Sequence, residues 1–509
     1  MIASVQSATI LGARGHPVEV EVHVGKGLPS FLMLGLPDES CREARDRVRA
    51  AVTTCKYDWP DTKKVTVNLA PPVVRKSGSG LDVAIAVGLL TACGVVERDA
   101  IAGLAFAGEL GLNGEVRPVP GVAPMVGVRP ELDWVVPARS LAEARVACRG
   151  RVRPVANLTQ LIEALNGVAP WPTIDEPSTV TVEPETADLA DVRGQPHARL
   201  ALEVAAAGGH HMLLVGPPGA GKTMLARRLP GLLPDLDPQV ALETTMIHSA
   251  AGVPLPAGGL ITRPPFRAPH HTSSAGSLVG GGSHVLRPGE VSLAHGGVLF
   301  LDEMGQFAPK ALDALREALE DGRIMVGRVD HLRVPIPARF QLVGATNPCP
   351  CGGGGTPGAC ECDERSRARY IGRLSGPLLD RFDLRVAVAR PAVGELLDGA
   401  PGESTAEVAA RVALARRRAR ERNGCLNAEL DESQFQDVAA LDDGGAALLR
   451  GENERGRLTA RGYHRIRRVA RTLSDLAGAV DAVVAEDFVA MAFGMRARVG
   501  ASAVVQAAS

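Results

Sequence analysis

A chain of 509 residues exceeds what one hydrophobic core usually serves, so two or more domains are expected. Its 45% hydrophobic and 22% charged residues are those of ordinary globular protein, and a formal charge of −1 excludes a global attraction for polyanions, so any phosphate-binding surface must be local. Aromatics at 3% argue against stacking platforms as the main mode of binding.

The N-terminus, MIASVQSATILGARGHPVEV, lacks a charged segment followed by a sustained apolar core. Val18, Val20, Val22 and Val24 alternate with Glu19, Glu21 and His23, the period of a half-buried strand. A helix is expected from about Glu39 to Thr54, then a strand in KVTVNLAP. A buried helix is expected in GLDVAIAVGLL, and two strands joined by an Asn-Gly turn in GLAFAGELGLNGEVRPV. The longest apolar run, Val83 to Val96, is too short to span a bilayer comfortably. Together with an odd count of nine cysteines, this gives the expectation of a cytoplasmic chain with no membrane partner.

Residues 167–186 are proline-rich and aperiodic and read as a linker, which divides the chain into an N-terminal domain at 1–166 and a second module beyond it. From 187 to 391 the pattern is helix, strand, Gly-rich loop, helix, strand, as in a parallel sheet with helices on both faces. From 392 to 509 it is mostly helical, in AEVAARVALARRRARER, ARGYHRIRRVARTLSDL and AEDFVAMAFGMR. The arginine-dense first of these has two readings, a grip on nucleic acid or a helix with one solvated charged face.

The chemistry concentrates in the central module. LLVGPPGAGKTML is an apolar strand, a G-x-x-x-x-G-K-T loop and a helical run. In such a loop, Gly216, Pro217, Pro218, Gly219, Ala220 and Gly221 leave the backbone free to wrap phosphates. Lys222 supplies a point charge and Thr223 a hydroxyl for Mg²⁺. GVLFLDE is a second apolar strand ending in two carboxylates, suited to holding Mg²⁺ with Asp302 and polarising water with Glu303. The two motifs together read as NTP hydrolysis.

These motifs resemble those of the AAA+ ATPases, and the resemblance extends to four further segments. DVRGQPHARLAL is similar to the entry segment that packs beside adenine, with Gln195 at its centre. FQLVGATN is similar to the sensor strand, whose Asn347 is implied to orient water. PLLDRFDL is similar to the finger segment of magnesium chelatases and MCM helicases, with Arg381 implied to reach a neighbour's nucleotide. LTARGYHRIRR resembles the lid segment with a second sensor arginine; Arg461 fits best and Arg468 competes. Surface salt bridges remain an alternative for these arginines.

Two long excursions, 265–297 and 318–340, resemble the inserted pore hairpins of the chelatase and MCM branch. Arg323, Arg328 and Arg333 in the second are candidates for phosphate contact or plain surface arginines. His270 and His271, being adjacent, are expected to point to different sides, which argues against metal.

The ordered string PPFRAPHH, RPGEVSLAHGGVLFLDE, LEDG, ATNPCPCG and RLSGPLLDRFDL resembles the YifB/ComM family of magnesium chelatase-like proteins. Pro264-Pro265 departs from the Arg-Pro common in relatives. The implied fold is α/β: an N-terminal Lon/RadA-like α+β domain, a central AAA+ P-loop sheet and a C-terminal helical lid.

The implied function is a hexameric, ATP- and Mg²⁺-dependent DNA helicase acting on single-stranded or branched DNA, driving branch migration during natural transformation. A chelatase-type motor or a remodeller of protein partners are the rival readings. Against the former, chelatase motors are expected to lack the Lon-like domain. In Lon, a serine stands two residues before the equivalent of Asp82, and a lysine follows the equivalent of RPVPGV. Here those positions are Gly80 and Ala123, while Ser77, Ser79 and Lys76 are out of register, which argues against peptidase activity.

NPCPCGGGGTPGACECD carries Cys349, Cys351, Cys360 and Cys362 directly after Asn347. In extended chain, residues two apart project to one side, and Gly352 to Gly355 permit folding back, so four thiolates can meet at one ion. Structural zinc, a redox disulfide and inert thiols are the open readings.

Overall fold

The period-two valines near the N-terminus do lie on one buried face. In the computed structural model Val18, Val20, Val22 and Val24 are all 5% exposed or less. The structure describes residues 1–72, 75–76, 78–173, 187–282, 286–327, 333–353, 360–374, 376–479 and 483–497. Ser77, Arg328, Gly354, Gly355 and linker residues 174–186, all singled out above, lie outside the described residues.

Seven strands form the first sheet: β1 (Ile2–Leu11), β2 (Arg14–Gly25), β3 (Ser30–Leu34), β4 (Lys64–Ala70), β5 (Leu104–Phe106), β6 (Asp133–Pro137) and β7 (Val152–Val155). Their order is β3-β4-β2-β1-β5-β6-β7. The β1–β2 and β2–β4 pairs are antiparallel and the others parallel.

Helices α1 (Glu39–Thr54) and α2 (Asp82–Cys93) follow the sequence expectation closely. Asp38 starts α1 by accepting the Cys41 N–H at 2.8 Å. Helix α2 lies hard on the sheet because Gly88 carries no side chain; a Cβ there would come within 2.8 Å of Val22 Cγ2. The segment expected as two strands is three. Leu104–Phe106 joins the main sheet, and Glu109–Leu110 pairs with Val116–Arg117 across the Asn-Gly turn.

The second sheet is fully parallel. Its strands β8 (Met212–Val215), β9 (Phe266–Arg267) and β10 (Val298–Leu301) precede a separate antiparallel hairpin, β11 (Arg323–Gly327) with β12 (Arg333–Pro337). Strands β13 (Gln341–Thr346) and β14 (Leu384–Ala387) complete it. The order is β9-β10-β13-β8-β14. Strands β8, β10 and β13 are buried along their whole length, the reason they read as continuous apolar runs rather than alternating ones.

Helices α3 (Val122–Gly127), α4 (Pro196–Gly208), α5 (Lys222–Ala226), α6 (Pro238–Ala251), α7 (Glu364–Arg373), α8 (Thr405–Asn423), α9 (Ala460–Leu476) and α10 (Glu486–Gly494) complete the elements needed below. Apolar residues of α4, α8, α9 and α10 share one core with the sheet. Among the described residues no helix is long and apolar enough to cross a membrane.

Five of the six arginines of α8 are engaged within the chain, and Arg417 is exposed. Arg411 pairs with Glu203 and Glu403, Arg420 with Asp237 and Arg422 with Asp475, while Arg416 and Arg418 donate to the carbonyls of Ala206 and Asp475. This favours the structural reading of that helix over a grip on nucleic acid.

Of the two excursions, 318–340 contains the expected hairpin, with Ile324, Val326, Val334 and Ile336 buried and Arg323 and Arg333 exposed. The other, 265–297, is mostly loop, with two short helices, Ala275–Val279 and Glu290–Leu293, and a two-residue pairing of Gly280–Gly281 with Arg287–Pro288. The N-terminal sheet touches the second hairpin directly, since Ala13 in the β1–β2 turn shares an apolar cluster with Val334 and Ile336. A second contact joins α3 to α6, where a Cβ on Gly127 would come within 2.7 Å of Met246 Cε.

Candidate active site

Strand β8 ends at Val215 and the chain turns through Gly216 to Gly221 into α5. Gly219 (φ +77°) and Gly221 (φ +85°) occupy the left-handed region that side chains resist. At Gly216 the reason is different, because a Cβ would lie 2.1 Å from the Val388 carbonyl oxygen. Gln195 Nε2 holds the loop from beneath, donating to Ala220 O at 2.8 Å and Ala389 O at 3.1 Å. The Gln195 Oε1 atom is buried with no hydrogen-bond partner.

Because β13 is the neighbour of β8, its end delivers Asn347 to the loop. Lys222 Nζ donates to Asn347 Oδ1 at 3.1 Å and to the carbonyls of Gly216 and Pro217 at 2.7 and 2.9 Å. Burial lowers the Lys222 pKa, opposed by the negative charges of Asp302 and Glu303. One strand further on, β10 supplies Asp302, whose Oδ2 accepts the Thr223 hydroxyl at 2.7 Å. Asp302 Oδ1 accepts the Glu303 N–H at 2.9 Å.

At this edge Arg390 and Tyr370 escaped the sequence reading, and the placing of His270 and His271 departs from it. Glu303 is left-handed (φ +50°), and its carboxylate stands 3.4 Å from His271 Nδ1. The rings of His270 and His271 lie 4.1 Å apart, contrary to the expectation that adjacent histidines diverge. The divergence rule holds for extended strand, and these residues are in a loop. Arg390 Nε donates to Pro218 O at 3.0 Å. It lies three residues beyond Ala387, the partner of Val215, so recognising β14 as the strand beside the loop would have found it. Tyr370 meets Thr346 Oγ1 at 3.2 Å, and nothing in the sequence pattern signals it.

The opposite edge of the sheet holds the arginines. Met212 pairs with Leu384, so Arg381 sits before the first residue of β14, at the end of β8 remote from the phosphate loop. It pairs with Glu320, and burial together with Arg465, Arg461 and Arg316 lowers its pKa. Arg461 is 72% exposed and 4.0 Å from Asp380. Arg468 donates to the Leu430 carbonyl and, with Arg381, Arg465 and His211, lines a cleft of about 670 Å³. Both sensor candidates therefore stand on the Arg381 edge, not beside Lys222 of the same chain.

Beneath that cleft, His211 Nδ1 accepts the Leu342 N–H at 3.0 Å, a bond only the neutral ring can make. Burial pulls its pKa down to about 4, against the pull of Asp383. Burial alone would raise Asp383, but His210, 3.1 Å away, and Arg465 hold it at about 2.

Comparison with known proteins places this geometry. The family described as "Magnesium chelatase, subunit ChlI" matches residues 188–396, "Subunit ChlI of Mg-chelatase" residues 20–138, and "Magnesium chelatase, subunit ChlI C-terminal" residues 402–496. The competence protein ComM of Haemophilus influenzae is 39% identical over 98% of both chains, and the uncharacterised protein YifB of Escherichia coli is 40% identical over 93% of both. The chain belongs to the YifB/ComM family of magnesium chelatase-like AAA+ proteins.

An uncharacterised protein of Mycobacterium tuberculosis is 46% identical over 96% of this chain and 97% of its own length. Lon protease 2 of Bacillus subtilis is 29% identical over 203 residues, 35% of each chain. Membership implies ATP and Mg²⁺ at the P-loop and, for AAA+ proteins in general, assembly into oligomers.

In that Lon-like region, a Cβ on Gly80 would come within 2.8 Å of Met125 Cε, so a side chain there requires Met125 to shift. The Ser79 hydroxyl is engaged by Glu109 and the buried Lys76 ammonium by the Pro71 carbonyl. Ala123 is buried, its N–H donating to Glu143 at 3.1 Å. Asp82 pairs with Arg47 at 2.7 Å.

The four clustered cysteines do meet. Among the described residues they form the one group of three or more His, Cys, Asp or Glu arranged to hold a metal ion. Backbone and neighbouring thiol hydrogen bonds, the Gly353 N–H foremost, draw the exposed Cys351 thiol down to about 6.

Proposed function

We propose that this chain is an ATP-driven ring translocase on DNA of the ComM type, promoting branch migration when imported strands recombine. The observation that carries the ring is the position of Arg381 at the sheet edge opposite its own phosphate loop. Four strand residues at about 3.3 Å each separate the two ends, so Arg381, paired with Glu320 in its own chain, cannot serve its own triphosphate and is placed to serve a neighbour's.

In this reading Gly216 to Gly221 and Lys222 wrap and neutralise the phosphates of ATP. The buried, unpartnered Gln195 Oε1 is the acceptor assigned to the base, and Arg390 steadies the loop. Thr223 and Asp302, already 2.7 Å apart, are the oxygen donors suited to Mg²⁺, which would supply charge neutralisation on the phosphates. Glu303 polarises the attacking water and Asn347 orients it. Arg381 of the adjoining subunit, flanked by Arg461 and Arg468, completes the site. The division into domains at 1–166, 187–391 and 392–509 goes with this reading, the first acting as a non-proteolytic module.

DNA as partner is supported by the competence protein among the relatives and by exposed Arg323 and Arg333 on a hairpin that the N-terminal sheet buttresses. The test is unwinding of forked and branched DNA with the Lys222→Ala protein as control. Strand separation and DNA-stimulated ATPase are expected only with Lys222. The chelatase-named family models favour a metal-insertion motor as second reading. Hydrolysis and binding indifferent to DNA, with flat salt dependence, would favour that reading or a protein remodeller.

A further inference from the structure

All four Sγ atoms of Cys349, Cys351, Cys360 and Cys362 lie within 4.8 Å of one another. The separations among Cys349, Cys351 and Cys360 are 3.4, 3.5 and 3.7 Å. A disulfide brings two sulfurs to about 2.05 Å and excludes the others. A tetrahedron of thiolates with Zn–S bonds of about 2.3 Å has edges of about 3.8 Å, and the sulfurs here approach that spacing. A polynuclear iron–sulfur cluster, with several irons and sulfides inside its cage, demands a wider one.

The surroundings give this cluster a task. Cys349 follows Asn347 by two residues and is 1% exposed. Gly352, at φ +78°, presses on the phosphate loop itself; a Cβ there would come within 2.6 Å of Pro218 Cδ. On the return limb α7 carries Tyr370, whose hydroxyl meets Thr346 at the end of β13. The same ring covers Gly305, where a Cβ would come within 2.6 Å of it. One short excursion thus touches the phosphate loop, the end of the sensor strand and the turn after the acidic pair.

We propose that Cys349, Cys351, Cys360 and Cys362 hold a structural zinc ion that clamps Asn347 and the phosphate loop together, so that metal occupancy sets nucleotide affinity. The clamp rests on the pocket being a nucleotide site; the metal site does not. Binding zinc through such a set of thiolates contributes folding free energy that a stretch with little apolar surface lacks.

The test uses full-length protein purified under reducing, chelator-free conditions. Metal analysis is expected to give about one zinc per chain, falling to about a tenth or less when Cys349→Ser and Cys360→Ser are combined. Stripping the wild type with a chelator should weaken binding of a fluorescent ATP analogue about tenfold or more, reversed by zinc and not by magnesium. Gly352→Ala keeps all four thiols but crowds Pro218, so it should retain zinc while losing affinity about severalfold. Near-absent zinc, bound iron with sulfide, or a disulfide in freshly reduced protein would overturn the site. Nucleotide affinity unmoved by zinc removal and return would overturn the clamp. Zinc-loaded wild type that binds no nucleotide would overturn the clamp and the ATPase reading together, leaving the metal site standing.

Discussion

The two edges of the parallel sheet are built on opposite plans. At the edge where β8, β10 and β13 end, opposite partners satisfy one another: Lys222 with Asn347, Thr223 with Asp302, Glu303 with His271. At the edge where β8 and β14 begin, Arg381 stands among Arg316, Arg461 and Arg465, which with burial lower its pKa, and among the described residues only Glu320 and Asp380 pair with Arg381 and Arg461. An edge that closes on itself suits holding a ligand, and an edge with surplus positive charge suits reaching for one held elsewhere. On the proposed reading, the difference means that half of each catalytic site is exported.

The contrast is tested first by removing the exported group. Arg381→Ala should lower ATP turnover by about 10³- to 10⁵-fold in assembled protein while nucleotide binding persists; steady-state hydrolysis against fluorescent-nucleotide affinity separates the two. On the self-satisfied edge, Glu303→Gln should cost about 10²- to 10⁴-fold in turnover and leave a stably bound ATP complex, visible by gel filtration with labelled nucleotide.

A smaller effect concerns pH. His211 is held neutral, its pKa depressed from 6.5 to about 4. For a base depressed by folding, the unfolded chain takes up the proton first, so stability present above pH 6.5 is lost as pH falls towards about 4. Melting temperature should decline across that window, and His211→Gln should flatten the decline.

The smallest effect is expected for Arg390→Ala. It removes one charged hydrogen bond to the phosphate loop, worth about 1–3 kcal/mol in nucleotide affinity by calorimetry, with little change in turnover at saturation.

Much of this was legible in the sequence because period and spacing carry local structure. The valine alternation of β2, the buried run of α2, the phosphate loop and the acidic pair all follow from residue types within a dozen positions. Thr223 and Asp302 were linked through the metal each suits, and they stand together.

What remained hidden depends on contacts between distant segments. His271 reaches Glu303 across a loop, Tyr370 reaches Thr346 from the far side of the cysteine excursion, and Ala13 reaches the hairpin from another sheet. Likewise Arg461 and Arg468 could be picked out as sensor candidates from their helix, but not the edge they occupy, which is set by how α9 packs. For the arginines of α8, a grip on nucleic acid and a structural role both stayed open only while their partners Glu203, Asp237 and Asp475 were out of view.

The most direct test of a shared site mixes two dead proteins. Arg381→Ala subunits keep an intact phosphate loop and Lys222→Ala subunits keep an intact finger, so each alone should be inactive. Combined and allowed to exchange, they should regain a substantial share of wild-type ATP hydrolysis, at interfaces where one supplies the loop and the other the arginine. Mixed assemblies that form and stay as inactive as their parents would contradict the account.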